Sequence, residues 1–213
     1  DCRASCLSCL YYYMKVLKFG GTSVGSVDSI RQIQHIIGQQ TDDCIVVVSA
    51  LGGITDQLLK AAHLALEAGE EYMEVYQAIR CRHMDMVNTL ITNPTTRQML
   101  CLELEGILDE LRSILFGVHL VKDLSDKTEA AIVSYGERMS SRIVTAALPG
   151  AVRKNSLQFI RTEHKQGQVL LNTELTEQLI RHAFSPMPHL SVVPGFISRD
   201  SQTGEITNLG RGG

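Results

Sequence analysis

The run Lys18-Phe19-Gly20-Gly21-Thr22-Ser23 places an ammonium group two residues before a pair of glycines. Lacking Cβ atoms, Gly20 and Gly21 let the backbone come close to an anion, and successive amides can converge on phosphate oxygens. Lys18 adds a full positive charge where negative charge builds up during phosphoryl transfer. The order differs from the common phosphate loop, in which the lysine follows the glycines. The same residues equally describe a tight turn beside an exposed lysine. Val48-Ser49-Ala50-Leu51-Gly52-Gly53-Ile54-Thr55 repeats the pattern of an apolar run, small residues and glycines. Ser49 and Thr55 bring hydroxyls able to donate to a carboxylate or a phosphate. Their ordinary roles are turn former and helix cap.

Two further segments carry charge of both signs. Ser134-Tyr135-Gly136-Glu137-Arg138-Met139-Ser140-Ser141 lies among helix-forming residues. A glycine there weakens the helix, which points to close approach of another group. Glu137 is the candidate partner for a substrate ammonium, set against the commoner fate of a solvated or salt-bridged surface glutamate. Asn208-Leu209-Gly210-Arg211-Gly212-Gly213 offers Arg211 as a bidentate carboxylate binder between glycines, or simply as a loop arginine in water. The seven histidines show no metal-ligand spacing, and His83 and His119 read as structural.

The elements needed to position these residues are legible in the hydrophobic pattern. Residues 15–19 read as a strand ending in a glycine turn. Residues 44–48 read as a strand buried on both faces of a parallel sheet. Between them a helix opening at Asp28 or Ser29 carries Ile30, Ile33, Ile36 and Ile37 at helical spacing. Strand, helix and strand form a βαβ unit, and loops at the carboxyl ends of such strands are where open α/β sheets bind ligands. Three amphipathic helices follow, with stripes beginning at Leu58, Tyr72 and Leu100, the third expected to end at Gly117. Ser125 or Asp126 is expected to cap a helix that includes residues 130–148 and stops at Pro149-Gly150. Weaker strand signals lie at 156–160 and 190–193, with a helical pattern over 170–184. Residues 196–199 and 205–209 flank the polar loop 200–204 as a hairpin.

The 213 residues are 44% hydrophobic and 20% charged, ordinary for a globular α/β domain, and the net charge of −3 provides no basic field for nucleic acid. No stretch approaches the roughly 20 apolar residues that span a bilayer. Residues 1–13, with Cys2, Cys6, Cys9 and three consecutive tyrosines, read as a leader before Met14, and 14–213 as one catalytic-domain portion. Cys44, Cys81 and Cys101 sit among apolar residues and read as buried free thiols in a reducing cytoplasm.

The four segments occur in the order and approximate spacing of aspartate kinases. From Met14 to Gly213 the chain resembles that family, with KFGGTS, SYGE and LGRGG carrying the likeness. The resemblance implies the amino-acid-kinase fold, a three-layer αβα sandwich. It also implies MgATP-dependent phosphorylation of the L-aspartate side-chain carboxylate to 4-phospho-L-aspartate, the first step toward lysine, threonine and methionine. It makes Lys18 the catalytic lysine and gives Lys18, Gly20, Gly21 and Gly212 to the ATP phosphates. Ser49, Thr55, Glu137, Arg211 and Gly212 go to aspartate. No protein metal ligand is implied, Mg²⁺ being held mainly through the ATP phosphates. In the family a Ser-Asp pair follows the last glycines, then most of the adenine and ribose site, then ACT domains that carry allosteric control and dimer contacts. The expectation is therefore of a cytoplasmic, homo-oligomeric parent and of little kinase activity from residues 1–213 alone. Some aspartate kinases are fused to homoserine dehydrogenase, and these residues contain no dinucleotide fingerprint that would decide that point. The competing readings are a sister kinase acting on glutamate, acetylglutamate or a nucleotide, and a non-catalytic binding module of the same fold. Glu137 and Arg211 favour a free amino acid.

Overall fold

A computed structural model describes residues 14–165 and 167–209. In chain order the elements are β1 (Met14–Phe19), α1 (Val27–Gly38), β2 (Asp43–Val48), α2 (Ile54–Ala65), α3 (Glu71–Leu90), α4 (Pro94–Val121), α5 (Asp126–Ala147), β3 (Val152–Arg153), β4 (Arg161–Lys165), β5 (Gln168–Leu171), α6 (Thr173–Ala183), β6 (Leu190–Pro194), β7 (Ile197–Asp200) and β8 (Ile206–Asn208). One sheet is wholly parallel in the order β1-β2-β6-β3. The other, β5-β4-β7-β8, pairs β4 with β7 in parallel and its two outer strands antiparallel. This is the mixed α/β architecture that the βαβ pattern and the family resemblance lead one to expect.

Strand alternation decides which face of the parallel sheet meets the helices. Cys44, Val46 and Val48 of β2 share a buried face with Leu17 and Phe19 of β1 and with Leu190 and Val192 of β6. Against this face pack Ile30 and Ile33 of α1, Leu58 of α2, and Ile143 and Val144 of α5, all fully buried. The opposite face carries Val16, 59% exposed, Lys18, and the half-buried Ile45 and Val47. β2 is thus buried on one face and half-buried on the other, not fully buried on both.

Several local expectations are corrected. α1 opens at Val27, because Ser26 is the N-cap and accepts from the Ser29 amide at 3.1 Å. α4 does not stop at Gly117. One helical glycine costs about 1 kcal/mol, and buried Leu115 and Val118 carry the helix on to Lys122, whose left-handed φ of 57° closes it. Residues 156–160 are not a strand: the Asn155 side chain accepts from the Leu157 amide and folds Ser156–Gln158 into a single 3-10 turn. The helix expected from 170 begins at Thr173, since Leu170 and Leu171 pair with β4 and Asn172 caps the helix through the Leu175 amide. Of the three cysteines among the described residues, Cys44 is buried as expected, whereas Cys81 is exposed and Cys101 half-buried.

Candidate amino-acid and phosphate site

The strands β1, β2 and β6 end level with one another, Phe19 beside Val48 and Val48 beside Pro194. Each end passes into a glycine-bearing loop on the same edge of the sheet. The ladder continues into these loops: the Ser49 amide donates to the Phe19 carbonyl at 3.1 Å, and the Gly195 amide to the Val48 carbonyl at 2.8 Å. The first two loops touch backbone to backbone. A Cβ on Gly52 would stand 3.1 Å from the Gly21 carbonyl oxygen, and one on Gly25 would stand 3.0 Å from it. Glycine makes that approach without displacing the facing backbone. Gly53 opens α2 at φ 80° without a side-chain cap, so Thr55 sits in a first turn that no side chain caps. Lys18 is exposed at the end of β1. Its Nζ lies 3.7 Å from where a Gly20 Cβ would be, folded back over the glycine turn.

Glu137 approaches the same loops from beneath, on α5. Its Oε1 accepts from the Ala50 amide at 3.1 Å, while Oε2 is buried without a hydrogen-bond partner among the described residues. Burial pushes the carboxyl up to about 7, and the Ala50 bond only partly opposes this. One residue earlier, a Cβ on Gly136 would lie 2.6 Å from the Ala50 Cβ. That glycine is what lets the helix come close enough for Glu137 to reach the loop. Ser140, one turn on, donates to the Ser49 carbonyl at 2.7 Å and holds the loop from the same side. Two hydrogen-bonded steps, Phe19 to Ser49 and Ala50 to Glu137, thus join the Lys18 strand end to the buried carboxylate. Lys18, Gly20, Gly21, Ser49, Thr55 and Glu137 gather at one sheet edge. Arg211 and Gly212 lie outside the described residues.

Of four further contributors, three gave little signal in sequence. Ala50 acts through its amide and Ser140 through its hydroxyl, neither of which side-chain type singles out. Arg82 of α3 donates to the Gly25 carbonyl at 3.3 Å, yet it is one charged residue among many on a helix. Pro194-Gly195 does repeat the strand-then-glycine pattern and was the findable one. After it, the Ile197 amide donates to the Gly195 carbonyl at 2.7 Å, which holds Phe196 at φ 64° in a tight three-residue turn. A bulky side chain in that region is strained. The Leu209 amide donates to the Phe196 carbonyl at 2.7 Å, tying the end of the β7–β8 hairpin to this third loop.

An exposed lysine and two touching glycine loops, with a buried carboxylate bonded to one of them, thus meet at the carboxyl edge of a parallel α/β sheet, where open sheets of this class bind small ligands. The amino acid kinase family profile matches residues 14–213, and the chain belongs to that family. It is similar to "Aspartokinase 1, chloroplastic" of Arabidopsis thaliana, 29% identical over 210 residues that cover 93% of this chain and 36% of that protein. Among solved structures it is similar to Escherichia coli aspartokinase III in complex with lysine and aspartate in the T-state, with a TM-score of 0.82 and 27% identity. The R-state of that enzyme, in complex with aspartate and ADP, gives a TM-score of 0.81 at 26% identity. These matches cover 95% and 94% of this chain and 44% of the bacterial one. The chain therefore spans less than half the length of these relatives.

Proposed function

We propose that this chain provides the amino-acid and phosphate half of an aspartate kinase, which transfers the γ-phosphoryl group of ATP to the side-chain carboxylate of L-aspartate. The observation that carries the reading is the buried Oε2 of Glu137, which has no partner among the described residues, an acceptor that a substrate ammonium satisfies. In this account the ammonium ionises Glu137 and pairs with it, and the Ser49 and Thr55 hydroxyls hold the substrate's oxygens. Arg211, by family resemblance, takes a substrate carboxylate. The Gly20 and Gly21 amides and the Lys18 ammonium receive the transferring phosphoryl group. A carboxylate oxygen forms a bond to the γ-phosphorus as the bond to the β–γ bridging oxygen breaks, and ADP leaves with that electron pair. The nucleophile is already ionised, so no general base is required. The chain contributes positioning and charge neutralisation. Mg²⁺ carried on the nucleotide phosphates supplies further neutralisation. The likeness to an enzyme captured with aspartate and ADP supports the choice of amino acid and nucleotide.

The test is ADP release by the full-length protein that contains this chain. Release that depends on aspartate, is not supported by glutamate or acetylglutamate, and falls on the order of 10²–10³-fold in kcat with Lys18→Ala is the expected result. Equal turnover with glutamate, or an unaffected Lys18→Ala variant, contradicts it.

A further inference from the structure

Away from the glycine loops, three guanidinium groups gather where α4, α5 and β3 meet. Arg138 stacks over Tyr135 with 4.2 Å from its central carbon to the ring centroid, and pairs with Glu110 at 2.6 Å. Arg142, 15% exposed, pairs with Glu103 and donates to the Arg138 carbonyl at 2.7 Å. Arg153 at the end of β3 is half-buried and forms no ion pair or hydrogen bond among the described residues. Burial, then the charge of Arg142 and to a lesser degree that of Arg138, weaken its hold on its proton, with Glu103 only partly opposing them. A half-buried guanidinium facing like charges lacks the counter-ion that such groups ordinarily find. It lines a groove of about 410 Å³ together with Arg142 and Glu103, whose remaining walls include Met99, Leu100 and Ala146.

We propose that this groove binds a small carboxylate with an apolar body, its carboxylate on Arg153 and its hydrocarbon against Met99, Leu100 and Ala146. The charge count selects the class. Glu110 offsets Arg138 and Glu103 offsets Arg142, so one cation remains uncompensated, matching a monoanion better than a dianionic phosphate. The planar guanidinium suits a bidentate carboxylate. The apolar walls favour a ligand that also removes hydrocarbon from water. None of the residues of the glycine-loop site lines this groove.

The probe is 4-methylpentanoate titrated into the full chain and followed by ligand-observed NMR. Saturable binding with a Kd of about 1 mM or tighter is expected. Arg153→Gln is expected to weaken it by about tenfold or more, as is replacing the acid with 4-methylpentan-1-ol, which keeps the hydrocarbon and removes the charge. Ala146→Phe, which fills the groove while leaving Arg153 in place, is expected to abolish it. Both variants are checked for a wild-type thermal midpoint, and either one suffices if the other fails to fold. Absence of saturable binding up to about 10 mM, wild-type affinity in a folded variant, equal binding of the alcohol, or binding of inorganic phosphate alone overturns the proposal.

Discussion

Glu137 is held by the fold in a state that suits binding better than stability. Its carboxyl, ordinarily near 4.5, titrates at about 7 because burial disfavours the charge. Below pH 4.5 the group is neutral folded or unfolded and has no effect. Between pH 4.5 and 7 the unfolded chain ionises it while the folded chain holds it neutral, so the cost to stability grows across that range and levels off above 7. Glu137→Gln should therefore stabilise the ligand-free chain at pH 8 by about 1–3 kcal/mol, the gain shrinking toward pH 4.5. Thermal or urea unfolding at the two pH values measures this. The same variant should weaken aspartate binding by about 10- to 100-fold, the worth of a charge-assisted bond. In the unmodified chain aspartate affinity should fall as pH drops below about 7, because the carboxyl then holds a proton that the ammonium must displace. Sequence reading reached Glu137 through its neighbours in SYGE. It could not foresee that one oxygen is satisfied by the Ala50 amide and the other left open, because that depends on where a loop 87 residues away comes to rest.

At the level of elements, the site is a consequence of glycine spacing. Gly136 brings α5 against Ala50, and Gly52 brings the second loop against the first. Gly136→Ala should cost about 1–3 kcal/mol through overpacking and weaken aspartate binding, since Glu137 loses its line to the loop; denaturation and binding titrations on one sample separate the two effects. The helices α1, α3 and α5 were legible because their apolar residues repeat at helical spacing, and β1 and β2 as short apolar runs, whereas β6 gave only a weaker strand signal. The close approach at Gly136 was also legible, because a glycine inside a strong helix pattern requires a reason. What failed were positions where side chains override the pattern. Asn155 and Asn172 redirect the backbone through their own hydrogen bonds, and neither competes visibly in a hydrophobicity count. Gly117 failed the other way: two buried neighbours outweigh one weak helix former.

For the whole molecule, two buried groups of opposite sign act on stability between about pH 4.5 and 7. His83 of α3 is fully buried, shares a hydrogen bond with the Ile79 carbonyl at 2.7 Å and titrates at about 4, against its ordinary 6.5, mainly because burial excludes the charged form. Its contribution is complete above pH 6.5 and lost as pH falls toward 4, whereas Glu137 relieves its own cost as pH falls from 7 toward 4.5. The two offset each other between about 4.5 and 6.5. Unfolding free energy should be nearly level across that window in the unmodified chain, and should drop by about 2–3 kcal/mol on acidification in Glu137→Gln, where only His83 is left to act. All of this matters for function only if the glycine loops and Glu137 form one pocket. The most direct measurement is amide chemical-shift mapping of the isotope-labelled full chain during titration with L-aspartate and ADP. Saturable shifts clustered at Gly20, Gly21, Ala50 and Gly52, and lost for aspartate in Glu137→Gln, are the predicted result. Shifts scattered over other surfaces, or the same response in the Gln variant, would contradict a shared amino-acid and phosphate pocket.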